Sequence, residues 1–207
     1  LVIERRKALN DYVNQALKEG IDYGRVPGID KPFLMKSGAE KILQLFNCAP
    51  VFDVIERDQN PHTGYFYVEF KARAVTIDGG LTIGEGVGAC CSWESKYRWR
   101  KEYWRGNNAP PEDEGWERGW DKKQRREFFY RRVENPDLVD TWNTVLKMGK
   151  KRSLVDLALT ISGASEKFTQ DVEDFFDGGE TFVDFAEAVL AEGDHAGGQG
   201  EAALLAS

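Results

Sequence analysis

From Tyr65 to Val75 the side chains alternate without a break, Phe66, Val68, Phe70, Ala72 and Ala74 on one side and Tyr67, Glu69, Lys71 and Arg73 on the other. A period of two over this length fits a half-buried β-strand and excludes an amphipathic helix, whose apolar residues recur three and four apart. Asp78-Gly79-Gly80 follows with turn residues, so Leu81 to Cys90 is expected to return antiparallel, and Val51 to Arg57 supplies a third strand ahead of the pair. The run Gly84-Glu85-Gly86-Val87-Gly88 has the composition of a phosphate-cradling turn but lies inside the returning strand. There it predicts a bulge or the close approach of another backbone.

Helical spacing brackets this meander. Val2, Ile3, Leu9, Tyr12, Val13, Ala16 and Leu17 form one stripe within residues 2 to 19, and Gly20 stops it. After the punctuated loop IDYGRVPGIDKP, Ser37 and Glu40 have capping-box spacing, which opens a short helix through Phe46 that buries Ile42, Leu45 and Phe46. Beyond the meander, Leu138 to Ile161 reads as a long helix whose Lys147, Lys150 and Lys151 share a face with Leu154, Ala158 and Ile161, one end wet and the other buried. Between them, residues 97 to 136 interleave Trp, Tyr and Phe with Arg and Lys around an acidic, Pro-containing loop. We expect an insertion packed on the core rather than a separate domain. The expected fold class is therefore α+β, an antiparallel meander against a long basic helix, with residues 1–175 as one core carrying that insertion.

Charge is distributed unevenly. The net charge of -7 conceals nets of -2 over residues 1–95, +6 over 96–152 and -11 over 153–207. Residues 176–207 form an acidic tail, with a short helix expected at 180 to 192 and a Gly/Ala end of low complexity that we expect to be mobile. The three cysteines, Cys48, Cys90 and Cys91, are odd in number and give no disulfide framework, which fits a reducing interior. No apolar run reaches the length of a membrane span, so a cytoplasmic protein without membrane contact is expected. The opening Leu1 in place of Met leads us to expect a trimmed natural N-terminus.

Lys147, Lys150, Lys151 and Arg152 fall within six residues of one predicted helix. Such a cluster suits phosphate contacts that are independent of sequence and sensitive to salt, with Lys71 and Arg73 on the exposed strand face extending the track. A merely solvated helix end would carry the same residues. The rings of the insertion could stack bases of a single strand or pack a small irregular core. Glu94-Ser95-Lys96 after a strand matches an element with which some nucleases hold magnesium, for which Asp78 would have to supply the second carboxylate. A metal-dependent nuclease using Glu94 and Lys96 is thus one alternative, and a non-enzymatic protein-interaction module another. His62 and His195 with the scattered cysteines form no metal-ligand spacing, and no GxxxxGK[ST] loop is present.

Three ordered blocks, IDYGRVPGIDKPFLMKSGAEKILQLFN, GYFYVEFKARAVTIDGGLTIGEGVGA and NTVLKMGKKRSLVDLALTISGAS, together resemble the Rad-fifty-two-like single-strand annealing proteins, and more closely their phage and bacterial relatives. The strings ESKYR and ASEKFTQDVED extend the likeness over roughly residues 10 to 175. The resemblance implies an α+β core assembled into a ring or open helical oligomer, with single-stranded DNA in a continuous groove and its bases exposed for pairing. It implies annealing without ATP or another cofactor, in the cytoplasm of a bacterial or phage-infected cell. Lys151-Arg152 matches the Lys-Arg pair that lines the inner groove, and Arg25 a further groove arginine. Lys147 and Lys150 would grip the backbone with that pair, Arg25, Lys71 and Arg73 would support them, and Lys96, Arg98 and Arg100 would lie at the groove edge. Phage relatives often carry paired cysteines in the stretch corresponding to 98–130. This chain has none there, so zinc is not carried over. The acidic tail would dock a host or phage recombination protein, or compete with DNA for the groove.

Overall fold

A computed structural model describes residues 2–26, 29–106, 108–111, 114–121 and 124–169. The acidic tail and the helix expected at 180–192 lie outside the described residues. The chain divides into two compact units, the first built from residues 1–98 and 135–173 and the second centred on residues 99–134.

The first unit opens with α1 (Val2–Ala16), followed by the short strands β1 (Tyr23–Gly24) and β2 (Phe33–Leu34), which pair antiparallel. Helix α2 (Lys36–Leu45) leads into β3 (Cys48–Asn60), β4 (Tyr65–Thr76) and β5 (Thr82–Cys91), an antiparallel meander with β4 in the middle. One turn of helix, α3 (Ser95–Arg98), leaves this unit. On re-entry a 3-10 turn (Leu138–Thr141) runs into α4 (Trp142–Ser162), which ends at Gly163 in the left-handed conformation, φ 65°. The alternation in β4 is realised residue for residue: Phe66, Val68, Phe70, Ala72 and Ala74 are buried, and the residues between them are half-buried.

Helix α4 lies on that buried face and crosses from β4 to β5. Gly149 sits where a Cβ would come within 3.3 Å of Phe70 and 3.4 Å of Val68. Farther along, a Cβ on Gly88 would meet the backbone N of Ser153, one on Gly86 the backbone N of Leu157, and one on Gly84 the side chain of Ile161. The glycines within the returning strand therefore serve the close backbone approach their position suggested. Four helical residues rise about 6.0 Å and two strand residues about 6.6 Å, so the two periods stay in step over all three contacts. Leu154, Leu157 and Ala158 then meet Ala39, Ile42 and Leu43 of α2 in the larger core, while Val145 joins Phe66, Val68, Phe70 and Cys90 in a second cluster.

Helix α2 starts differently from its sequence signature. Met35 is the N-cap and no side chain caps it; Ser37 lies inside the first turn and donates its hydroxyl to Ile21 O, and Glu40 pairs with Lys36 at 3.3 Å. The hydroxyl finds a loop carbonyl sixteen residues back, a partner that local spacing does not reveal. Leu43 rather than Leu45 is buried, Leu45 being 42% exposed.

The second unit is an antiparallel sheet of β6 (Trp99–Tyr103), β7 (Glu117–Asp121) and β8 (Arg126–Glu134) in the order β6-β8-β7. Its limits fall two residues inside the expected insertion at either end, and it forms a compact unit with its own sheet.

Gly88→Ala should lower stability by about 1–3 kcal/mol or more, because the added methyl meets helix backbone that cannot rotate away. Gly79→Ala, whose Cβ would have Thr76 Oγ1 at 3.7 Å as its nearest neighbour, should be close to neutral. Urea-unfolding midpoints of the two variants check the contrast; equal midpoints would mean that α4 does not seat on β5 as described.

Candidate nucleic-acid interface

The register of α4 on β5 sorts the cationic cluster. With Ser153 over Gly88 and Leu157 over Gly86, the preceding residues Arg152 and Asp156 project along the free edge of β5. There Asp156 Oδ2 accepts the Val87 N–H at 2.8 Å and Arg152 Nη1 donates to Ala89 O at 2.7 Å. Two backbone groups of an edge strand are thus satisfied by helix side chains, which blocks this edge from pairing with another strand. Arg152 also forms a two-pronged pair with Glu94, Nη1 to Oε1 at 2.6 Å and Nη2 to Oε2 at 3.0 Å. Glu94 Oε1 further accepts the Cys91 N–H at 3.1 Å, and Lys96 Nζ stands 3.3 Å from Oε2. Burial alone would raise the Glu94 carboxyl, but the hydrogen bonds and charge of Arg152, the charge of Lys96 and the Cys91 N–H outweigh it and hold the group below its ordinary value.

Arg152 is therefore committed to β5 and Glu94, and its expected place among the phosphate-gripping residues is corrected. The sequence offers no local sign of this, since Glu94 and Arg152 are 58 residues apart. The nuclease pairing fails on distance. Asp78 sits in the β4–β5 turn, bonded to Asn47 Nδ2 at 2.6 Å, while Glu94 follows the other end of β5, nine strand steps or about 30 Å away. One ion cannot bridge them.

Lys147 and Lys150 are exposed and Lys151 is half-buried. Lys150 Nζ lies over the Phe52 ring, 4.3 Å from its centroid, so the open side of the cluster faces β3. On that flank Arg57 stands over Phe66 at 5.4 Å and Val54 is 53% exposed. The exposed half of α4 and the inner face of β3 thus frame a strip with cations above apolar and aromatic side chains.

Lys71 and Arg73 do not extend it, which corrects the expected track. They occupy odd positions of β4, and the period of two sends odd positions to the face opposite α4. There Lys71 pairs with Glu85 at 3.2 Å and Arg73 with Asp53 at 2.9 Å. Arg25 is exposed in the loop after β1, 3.6 Å from Glu19. Lys96 is held against Glu94 and the Tyr97 ring, and Arg98 stands 4.9 Å from the centroid of the Trp93 ring. Arg100 is exposed on β6 in the second unit. No family model, curated protein or solved structure matches the chain.

Because the folded-state pKa of Glu94 is depressed, its contribution to stability is complete above the ordinary carboxylate value of 4.5 and is lost as pH falls through the lower folded value. Urea midpoints measured from pH 7 down to 3 should fall less steeply for Glu94→Gln than for the wild type. Arg152→Ala should cost about 1.5–3 kcal/mol at pH 7, since it strips charged hydrogen bonds from a carboxylate that is 24% exposed. Parallel acid limbs, or a neutral Arg152→Ala, would contradict the pairing.

Proposed function

We propose that this chain binds single-stranded DNA and anneals complementary strands without ATP, as an oligomeric recombination and repair protein of a bacterial or phage-infected cell. The observation that carries the reading is the meander followed by α4, with Lys147, Lys150 and Lys151 on the outward half of a helix whose other side is locked to the sheet. Cations on a rigid element meet a strand at fixed spacing and lose little conformational freedom on binding. The resemblance of the three sequence blocks to Rad-fifty-two-like proteins supports the same reading.

Assembly into a ring or helical filament belongs to the proposal. A few phosphate contacts per subunit suffice when many subunits hold one strand. Exposed Ile77, Leu81, Ile83 and Val87 around the β4–β5 turn supply apolar surface for such assembly. The face of β4 carrying Lys71 and Arg73, already neutralised by Asp53 and Glu85, suits a subunit contact better than DNA. No helix among the described residues is long and apolar enough to cross a membrane. Work in the cytoplasm, and docking of a recombination partner on the acidic tail, complete the proposal.

Lys147→Ala/Lys150→Ala should weaken binding to a labelled oligothymidylate and reduce the slope of log K against log salt by about 1.4, from about 0.7 for each phosphate that is no longer neutralised. Arg152→Ala should leave that slope unchanged, its effect being on stability. The wild type should speed pairing of complementary strands with no nucleotide added. An unchanged slope in the double variant would remove α4 as the interface, and no acceleration of pairing would remove annealing.

A further inference from the structure

The second unit has eight aromatic residues between Trp99 and Glu134, yet none of its described residues is buried. A sheet so rich in rings and with no buried residue among those described is unusual for one serving only to hold itself together, and rings left half-buried, with Tyr103 and Trp120 exposed, mark a contact surface.

The register shows how the rings are arranged. Lys101 lies opposite Arg132 and Tyr103 opposite Tyr130, so Trp99, Lys101 and Tyr103 of β6 share one face with Phe128, Tyr130 and Arg132 of β8. On that face the cations sit diagonally over rings: Lys101 Nζ is 4.7 Å from the Tyr130 centroid and the Arg132 guanidinium 5.2 Å from that of Trp99. Tyr103 and Phe128 are 5.8 Å apart, as are Phe128 and Tyr130. Phe128 lies across Gly119 of β7, where a Cβ would collide with its ring. Tyr103, at the end of the row, is 55% exposed. On the opposite face cations are set against carboxylates as well as rings: Arg131 pairs with Glu102 at 2.5 Å and stands 4.7 Å from the Trp116 centroid, and Arg118 pairs with Glu127 at 3.3 Å.

We infer that the face of β6 and β8 carrying Trp99, Lys101, Tyr103, Phe128, Tyr130 and Arg132 is a stacking platform for the bases of single-stranded nucleic acid. The row from Trp99 to Tyr103 spans about 13 Å of strand. Rings separated by cations match a ligand in which flat bases recur along a line of negative charge, because an open ring such as Tyr103 can take a base while Lys101 meets a phosphate. An apolar protein partner would have to bury those cations, and a folded acidic one would leave the rings unmatched. The inference shares its ligand class with the α4 reading but rests on a separate unit and separate residues.

The test uses the full chain and two labelled strands of equal length, oligothymidylate and an abasic deoxyribose-phosphate strand. Tyr103→Ala should weaken oligothymidylate binding about five-fold or more and leave the abasic strand unchanged, while Tyr103→Phe, which keeps the ring, should bind as the wild type. Trp99→Phe should lose a resolvable share of the quenching of tryptophan emission by oligothymidylate. Equal losses by Tyr103→Ala on both strands, no loss on either, or quenching that is unchanged in Trp99→Phe would overturn the platform. Lys147→Ala/Lys150→Ala serves as the separate arm. If it abolishes binding of the abasic strand while Tyr103→Ala affects only the base-bearing one, both sites stand; if Tyr103→Ala alone has an effect, the platform survives and the α4 site does not.

Discussion

The contact of α4 with three alternate glycines of β5, backbone against backbone at Gly86 and Gly88, fixes most of the arrangement of the first unit. A helix packed on a sheet is ordinarily held off by side chains on both surfaces, and its rotation adjusts to them. Here Gly86 and Gly88 bring backbone against backbone, so Ser153 and Leu157 have one place each and the helix cannot turn about its axis without a collision. The similar rise of four helical and two strand residues lets the same fit recur at Gly84 and Ile161. Once the rotation is fixed, so is the direction of every other α4 side chain.

That constraint divides a cluster that looks uniform in the sequence. Arg152 and Asp156, one turn apart, fall along the edge of β5 and become its hydrogen-bond partners. Lys150, two residues before Arg152, falls on the other flank over Phe52, and Lys147 points to solvent one turn earlier. Neighbouring cations therefore have different tasks. Arg152 is the suitable one to bury, since its planar fork matches the Glu94 carboxylate with two parallel bonds, whereas a lysine would leave one oxygen with a poorer donor. The sealing of β5 also bears on assembly: a sheet extended from subunit to subunit cannot use that edge while Arg152, Asp156 and Glu94 occupy it.

The parts legible in the sequence are those whose cause is local. The alternation of β4 needs only its own residues and a buried face, and three glycines in a strand announce a bulge or a close approach. The order of the meander follows from the turn at Asp78-Gly79-Gly80. What the sequence hides depends on contacts between distant segments. Ser37 has capping-box spacing, but Ile21 O offers its hydroxyl another partner. Glu94 resembles a metal ligand and Arg152 a phosphate contact only while each is considered without the other. Lys71 and Arg73 do lie on the exposed face of β4, yet only the seating of α4 on the buried face shows that this separates them from the helix cluster. In the second unit the alternation of rings and cations is visible, but strand order is not, since β8 pairs with both β6 and β7 and the linking segments carry no periodic signal.

Some described cations face carboxylates, some rest on rings, and Lys96 and Arg131 do both; the difference has a physical consequence. Arg152, Arg73 and Lys71 face carboxylates, which occupy their donors and cancel their field. Lys101 on the ring-bearing face of the second unit rests on Tyr130, and Lys150 of α4 rests on Phe52. A ring attracts a cation through its quadrupole without neutralising the charge, and an ammonium lying over a ring turns only one side to it, leaving donors directed elsewhere. A cation held by a ring is thus positioned without its charge being cancelled, whereas one held by a carboxylate is positioned at the cost of its charge. A polyanion distinguishes between the two. By that criterion Lys101 on the face of β6 and β8, and Lys150 on the outward half of α4, keep their charge on the two surfaces proposed for nucleic acid.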